Sequence, residues 1–126
     1  IRKTAKILVV DDDDSIRKIL LDFFSSSDRS YLIDEAANGI EACIKLGSYH
    51  PDILILDINM PEMDGLEVCR IIKSAPELSD ICVIISTGFP DHPKLKQISE
   101  LGFEDVIYKP FNLKDLMKKI DNILIK

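Results

Sequence analysis

Short apolar runs alternate along this chain with segments whose apolar positions recur at helical spacing. Ile7–Val10, Ile53–Leu56 and Cys82–Ser86 are apolar on both faces, the composition of strands buried between two layers. Tyr31–Glu35 is more polar and reads as a strand near a sheet edge, and Asp105–Tyr108 completes the set. Ser15–Phe24 puts Ile16, Ile19, Leu20 and Phe23 on one helical face, with Asp13 ahead of it as an N-cap. Ile40–Leu46 is a short helix after the Asn38-Gly39 turn signal, and Leu66–Lys73 is a helix ended by Ser74-Ala75-Pro76. Pro93–Leu101 is a marginal helix closed by Gly102. Asn112 caps a last helix whose Leu113, Leu116, Met117, Ile120, Ile123 and Leu124 form a stripe of helical period. Strand and helix thus alternate over the whole length with short connections. Right-handed crossovers then require an α/β fold, a doubly wound (βα)5 parallel sheet covered on both faces.

The strand exits carry the polar residues of interest. The first strand runs into Asp11-Asp12, the third into Asp57, the fourth into Thr87 and the fifth into Lys109-Pro110. Open α/β sheets place their chemistry at this carboxyl edge. Three acids, a hydroxyl and an amine on one rim suit a divalent cation and a phosphoryl group. The run Asp11–Asp14 reads either as a solvated charge cluster with a helix cap or as a cation site. Mutual repulsion favours the second, with Asp12 binding Mg²⁺ and Asp11 assisting, partly through water. Asp13 and Asp14 belong to the helix start, where negative charge suits the macrodipole. Asp57 alone would be a capping or metal-ligating aspartate. Beside the other exits it becomes a nucleophile toward phosphorus, giving an acyl phosphate. Phosphoryl transfer asks mainly for positioning and charge neutralisation. Lys109 would pair with one phosphoryl oxygen and the Thr87 hydroxyl would donate to another.

At 126 residues the chain is one domain, read over residues 1–126. Its net charge of −6 argues against a nucleic-acid-binding surface. No apolar run approaches a membrane span and no signal peptide is visible, so the reading is cytoplasmic. Cys43, Cys69 and Cys82 lie in apolar contexts and read as inert buried thiols. His50 and His92 are isolated and receive no role. The first residue is Ile1 rather than Met, which reads as a piece excised from a longer protein.

Taken together, Ile7-Leu8-Val9-Val10-Asp11-Asp12-Asp13, the segment from Asp57 through Asn59-Met60-Pro61 to Gly65, Ser86-Thr87-Gly88 and Lys109-Pro110-Phe111 resemble the receiver domain of two-component response regulators, and the likeness covers essentially the whole chain. The resemblance implies a flavodoxin-like sheet of order 2-1-3-4-5. It implies a regulatory phosphoacceptor rather than an enzyme, phosphorylated on Asp57 by a sensor histidine kinase or phosphotransfer protein. It implies Mg²⁺ held by Asp12, Asp57, the backbone carbonyl of Asn59 and waters, with Asp11 orienting that shell. A cis Lys109-Pro110 peptide is a further expectation from the family.

The chain also departs from the family's pattern. An aromatic residue is usual three positions before the lysine, where it rotates inward as the hydroxyl moves to the phosphoryl group. Here that position is Val106, and Tyr108 lies two residues on, on the same strand face. Either Tyr108 substitutes or the switch runs without the ring. Phe89, two past Thr87, is either a loop aromatic or a shield that slows hydrolysis of the acyl phosphate. Ile16 and Leu20 resemble the face that docks a kinase helix. Lys94, Lys96, Lys114, Lys118, Lys119, Asp115 and Asp121 mark the fourth-helix, fifth-strand, fifth-helix face, read as an output or homodimer surface or as solvated charge. The alternative function is a receiver-fold interaction module that works without phosphate. A haloacid-dehalogenase-type phosphatase would need a second acid where Asn59 stands, and a flavodoxin would need a phosphate-binding loop where Asp11-Asp12 stands.

Overall fold

The computed structural model describes residues 4–27 and 30–125. Five strands and five helices follow one another: β1 (Ala5–Val10), α1 (Asp14–Ser25), β2 (Tyr31–Ala36), α2 (Gly39–Ser48), β3 (Ile53–Asp57), α3 (Gly65–Ser74), β4 (Cys82–Thr87), α4 (Lys94–Glu100), β5 (Asp105–Tyr108) and α5 (Leu113–Ile125). All strand pairs are parallel and the sheet order is β2-β1-β3-β4-β5. This is the expected flavodoxin-like α/β arrangement. The central strand β3 is buried along its whole length, as its run of Ile and Leu requires.

Strand alternation divides the apolar side chains between two layers. Ile7, Val9, Ile53, Ile55, Ile84 and Ile107 pack with Leu20, Phe24, Leu116 and Ile120 of α1 and α5. Leu8, Val10, Leu54, Leu56, Val83 and Ile85 pack with Leu46, Val68, Ile72 and Ile98 of α2, α3 and α4. The helix starts follow the expected local chemistry. Asp13, Asn38 and Asp64 each accept a backbone N–H of the turn they cap, and Asn112 accepts those of Lys114 and Asp115. Asp64 and Glu67 form a reciprocal capping box. Gly102 has φ +100°, the left-handed conformation that closes α4.

Two helical faces keep most of their expected residues against the core, and each leaves one exposed. In α1 the buried positions are Arg17, Leu20 and Phe24, while Ile19 is 53% exposed. Arg17 is buried between acids, paired with Glu35 and Asp14. In α5, Leu116 and Ile120 are buried but Leu124 lies 43% exposed, because the last turn passes the edge of the core. Among the thiols only Cys69 is fully buried; Cys43 and Cys82 are half-buried. Burial pushes the Cys69 thiol up to about 12 and also raises Cys43, which keeps both protonated. No helix among the described residues is long and apolar enough to cross a membrane.

Candidate functional site

The carboxyl edge of the sheet gathers the acids first. Asp11 follows β1 and Asp57 ends β3, and both side chains are nearly sealed from solvent. Asp12 is exposed beside them. One oxygen from each of Asp11, Asp12 and Asp57 lies within 4.8 Å of the others. Lys109 extends from the end of β5, where its N–H continues the ladder to the Thr87 carbonyl at 2.8 Å, and its peptide bond to Pro110 is cis. Its ammonium sits 2.8 Å from Asp11 and 3.4 Å from Asp57. Burial raises the Asp57 carboxyl to about 6, and the Asp11 charge adds to that; Lys109 and the Asn59 N–H pull the other way. For Lys109, burial acts downward, but the hydrogen bond to Asp11 and the charges of Asp57 and Asp11 outweigh it and leave the ammonium above its ordinary value.

Three carboxylates against one ammonium leave an excess of negative charge in a partly buried pocket. Hard oxygen donors with excess charge fit a hard divalent cation such as Mg²⁺. Asn59 lies on the exposed loop directly after, at the rim of a cavity of about 330 Å³ lined also by Asp12, Met60, Pro61, Asp64 and Lys94.

The loop after β3 is held close by glycine. The Gly65 N–H donates to the Ile58 carbonyl at 2.9 Å, and a Cβ at Gly65 would stand 2.6 Å from the Asp57 carbonyl oxygen. The spacing from Asp57 to Gly65 therefore has a steric reason: α3 starts against the backbone that carries the acid. Gly39 plays a similar part for the same loop, since its Cβ would meet the Met63 carbonyl oxygen at 2.3 Å.

Thr87 is buried, but its hydroxyl is occupied within its own loop. Its Oγ1 accepts the Phe89 N–H at 3.1 Å. Alternation places its side chain on the side of Val83 and Ile85, and no hydrogen bond joins it to Asp57 or Lys109. Tyr108 is its register partner on β5 and is 46% exposed, whereas Val106 packs half-buried against the α3–α4 layer. Phe89 projects outward, 62% exposed. The structure thus joins Asp11, Asp12, Asp57 and Lys109 and leaves Thr87, Val106, Tyr108 and Phe89 along one flank.

Several residues at this edge carry no signal in the sequence pattern. Buried Arg17 donates to Glu35 at 2.8 Å, and also to Asp14 and the Asp11 carbonyl. The acidic run is therefore partly compensated by a buried guanidinium as well as by the helix start. His92, given no role from the sequence, bridges two loops. Its Nδ1 accepts the Lys94 N–H at 3.1 Å, so Nε2 carries the proton and donates to Asn59 Oδ1 at 2.8 Å. Two lysines of the α4–β5–α5 face are paired, Lys94 with Asp64 and Lys119 with Asp105. Leu20, read as part of a docking face, is fully buried and cannot serve there; Ile16 is half-buried. A helical pair at i, i+3 or i, i+4 could have suggested Asp14–Arg17, but nothing local marks His92 or Glu35.

Residues 7–121 match the family described as the response regulator receiver domain, and the chain belongs to that family. It is 35% identical over 121 residues to the response regulator MprA of Mycobacterium ulcerans, covering 96% of this chain and 50% of MprA. The chain thus spans about half the length of the curated relatives it matches. Among solved structures it is similar to the signal receiver domain of a DNA-binding response regulator from Colwellia psychrerythraea, with TM-score 0.88 and 32% identity over 97% of this chain and 99% of that one. It is similar also to the chemotaxis response regulator CheY4 of Vibrio cholerae, with TM-score 0.84 and 30% identity over 96% and 99%. The receiver domain of a signal transduction histidine kinase from Syntrophus aciditrophicus gives TM-score 0.86 and 32% identity over 96% and 90%.

Proposed function

We propose that this receiver domain is a phosphorylation-dependent switch that takes a phosphoryl group onto Asp57 from the phosphohistidine of a sensor kinase or phosphotransfer protein. The observation that carries this reading is the sharing of one lysine by two buried carboxylates, with a third carboxylate within 4.8 Å. Mg²⁺ held by Asp11, Asp12, Asp57 and the Asn59 carbonyl would supply charge neutralisation for the phosphoryl oxygens.

The chain's own residues do the rest. An Asp57 carboxylate oxygen attacks phosphorus in line with the departing imidazole. Lys109 exchanges one of its carboxylate partners for a phosphoryl oxygen. Thr87 releases the Phe89 N–H and turns its hydroxyl to the new acceptor. The acyl phosphate brings about −1.5 to −2 charges to the edge. The loops after β3 and β4 repack, and an active population already present rises. The domain assists its own phosphorylation and dephosphorylation and otherwise acts as a regulatory module. Val106 gives this switch no ring to rotate inward, so the α4–β5–α5 face signals through loop and helix position, to an output domain or a second copy. We place the protein in the cytoplasm, where such donors act.

Beryllofluoride with Mg²⁺ tests the reading by amide NMR. Shifts concentrated at residues 57–65, 86–89 and 109, dependent on both additives and absent in Asp57→Asn, are expected. Unchanged spectra at saturating additive would contradict it.

A further inference from the structure

Ser86 carries a buried hydroxyl with no hydrogen-bond partner, and its position gives that hydroxyl a use. The residue is only 1% exposed. It is the register partner of Asp57 across the β3–β4 pair. Ile55 and Ile84, one alternation earlier on each strand, lie in the same α1–α5 layer, so the Asp57 and Ser86 side chains share a face. Ser86 is also the register partner of Ile107, and Lys109 follows Ile107 on that same face. The hydroxyl therefore lies under the Asp11–Lys109–Asp57 cluster, on the opposite side of the strand from Thr87. A buried hydroxyl without a partner is costly, and native folds rarely keep one without a reason.

Resting on the phosphoacceptor reading above, we infer that Ser86 is a positioning residue for the reaction at Asp57: its hydroxyl donates to the Asp57 oxygen that Lys109 leaves when the lysine turns to the phosphoryl group. The bond forms to the carbonyl oxygen of the acyl phosphate and strengthens as the carboxylate is regenerated. In hydrolysis a water oxygen attacks phosphorus and the P–O bond to Asp57 breaks. The electron pair stays on the Asp57 carboxylate, and the water's protons pass to the released phosphate and solvent. A donor to Asp57 stabilises that leaving carboxylate more than the neutral acyl group. Ser86 therefore speeds loss of the phosphoryl group.

The test compares wild type with Ser86→Ala and with Ser86→Cys, which leaves no void but donates weakly. Each is phosphorylated with acetyl phosphate and Mg²⁺ and then freed of donor. The dephosphorylation rate constant should fall about tenfold in both variants, equivalent to about 1.4 kcal/mol. The acyl phosphate C=O stretch, read by isotope-edited infrared difference spectroscopy, should move to higher frequency in both, which a purely structural effect would not produce. Rate constants within twofold of wild type, or an unmoved stretch, would overturn the assignment while leaving the phosphoacceptor reading intact. Wild type that takes no phosphate on Asp57 would overturn both.

Discussion

Lys109 holds Asp11 more closely than Asp57, at 2.8 Å against 3.4 Å. The acid proposed to attack phosphorus is thus the less tightly paired of the two, and its neutralisation is left incomplete. Removing the lysine leaves two nearly sealed carboxylates facing each other. We expect Lys109→Ala to lose about 2 kcal/mol of folding stability at pH 7, measured by urea denaturation, and to regain most of it when Mg²⁺ is added. Equal stability of the variant and wild type without metal would show that the pair is not a structural tie.

The Asp57 carboxyl lies at about 6 in the fold, above its ordinary value of 3.8, chiefly because it is buried. Its ionisation is therefore harder in the folded than in the unfolded chain. Its contribution to stability falls as pH rises from about 4 through about 6 and stays lowered above that. Asp57→Asn removes this effect. The stability difference between Asp57→Asn and wild type should be near zero at pH 4 and grow to about 3 kcal/mol in favour of the variant by pH 7. Urea denaturation across that range, without Mg²⁺, checks it; a difference that does not change with pH would refute it.

Gly65 admits α3 against the Asp57 backbone, and a methyl group there meets a carbonyl oxygen at 2.6 Å and the Ile58 Cα at 2.9 Å. Both obstacles are backbone and cannot rotate away. Gly65→Ala should cost about 2 kcal/mol in stability and shift the Asp57 and Ile58 amide resonances. A Tm unchanged from wild type would mean that the β3–α3 loop yields easily.

Phe89 ties the β4–α4 loop to Thr87 through its backbone, while its ring stands in solvent. Truncating an exposed ring should change stability by less than about 0.5 kcal/mol. If the ring shields the acyl phosphate after Thr87 turns, Phe89→Ala should shorten the phosphate lifetime several-fold. An unchanged lifetime would assign Phe89 to the loop alone.

Much of this edge was legible from the chain. Apolar runs ending in Asp11, Asp57, Thr87 and Lys109 locate four strand exits, and parallel topology brings the exits to one side. The orientation of Thr87 was not legible, because a local bond to Phe89 competes with any bond across the site. Ser86 looked like one more strand residue; only the register between β3 and β4 sets it beside Asp57. In α1, Ile16, Leu20 and Phe23 of the expected stripe do pack against the core, and Ile19 alone lies exposed. The burial of Arg17, which pairs with Glu35 on the edge strand, and of Phe24 is what the apolar stripe did not reveal. His92 meets Asn59 across 33 residues of sequence, which no periodicity encodes.

The most direct test is intact-mass analysis after incubation with Mg²⁺ and acetyl phosphate, with Asp57→Asn alongside. The account predicts a single phosphate adduct on wild type, absent from the variant and abolished by chelator. No adduct on wild type, with a phosphohistidine donor giving none either, would contradict it and turn the reading to an interaction module that works without phosphate.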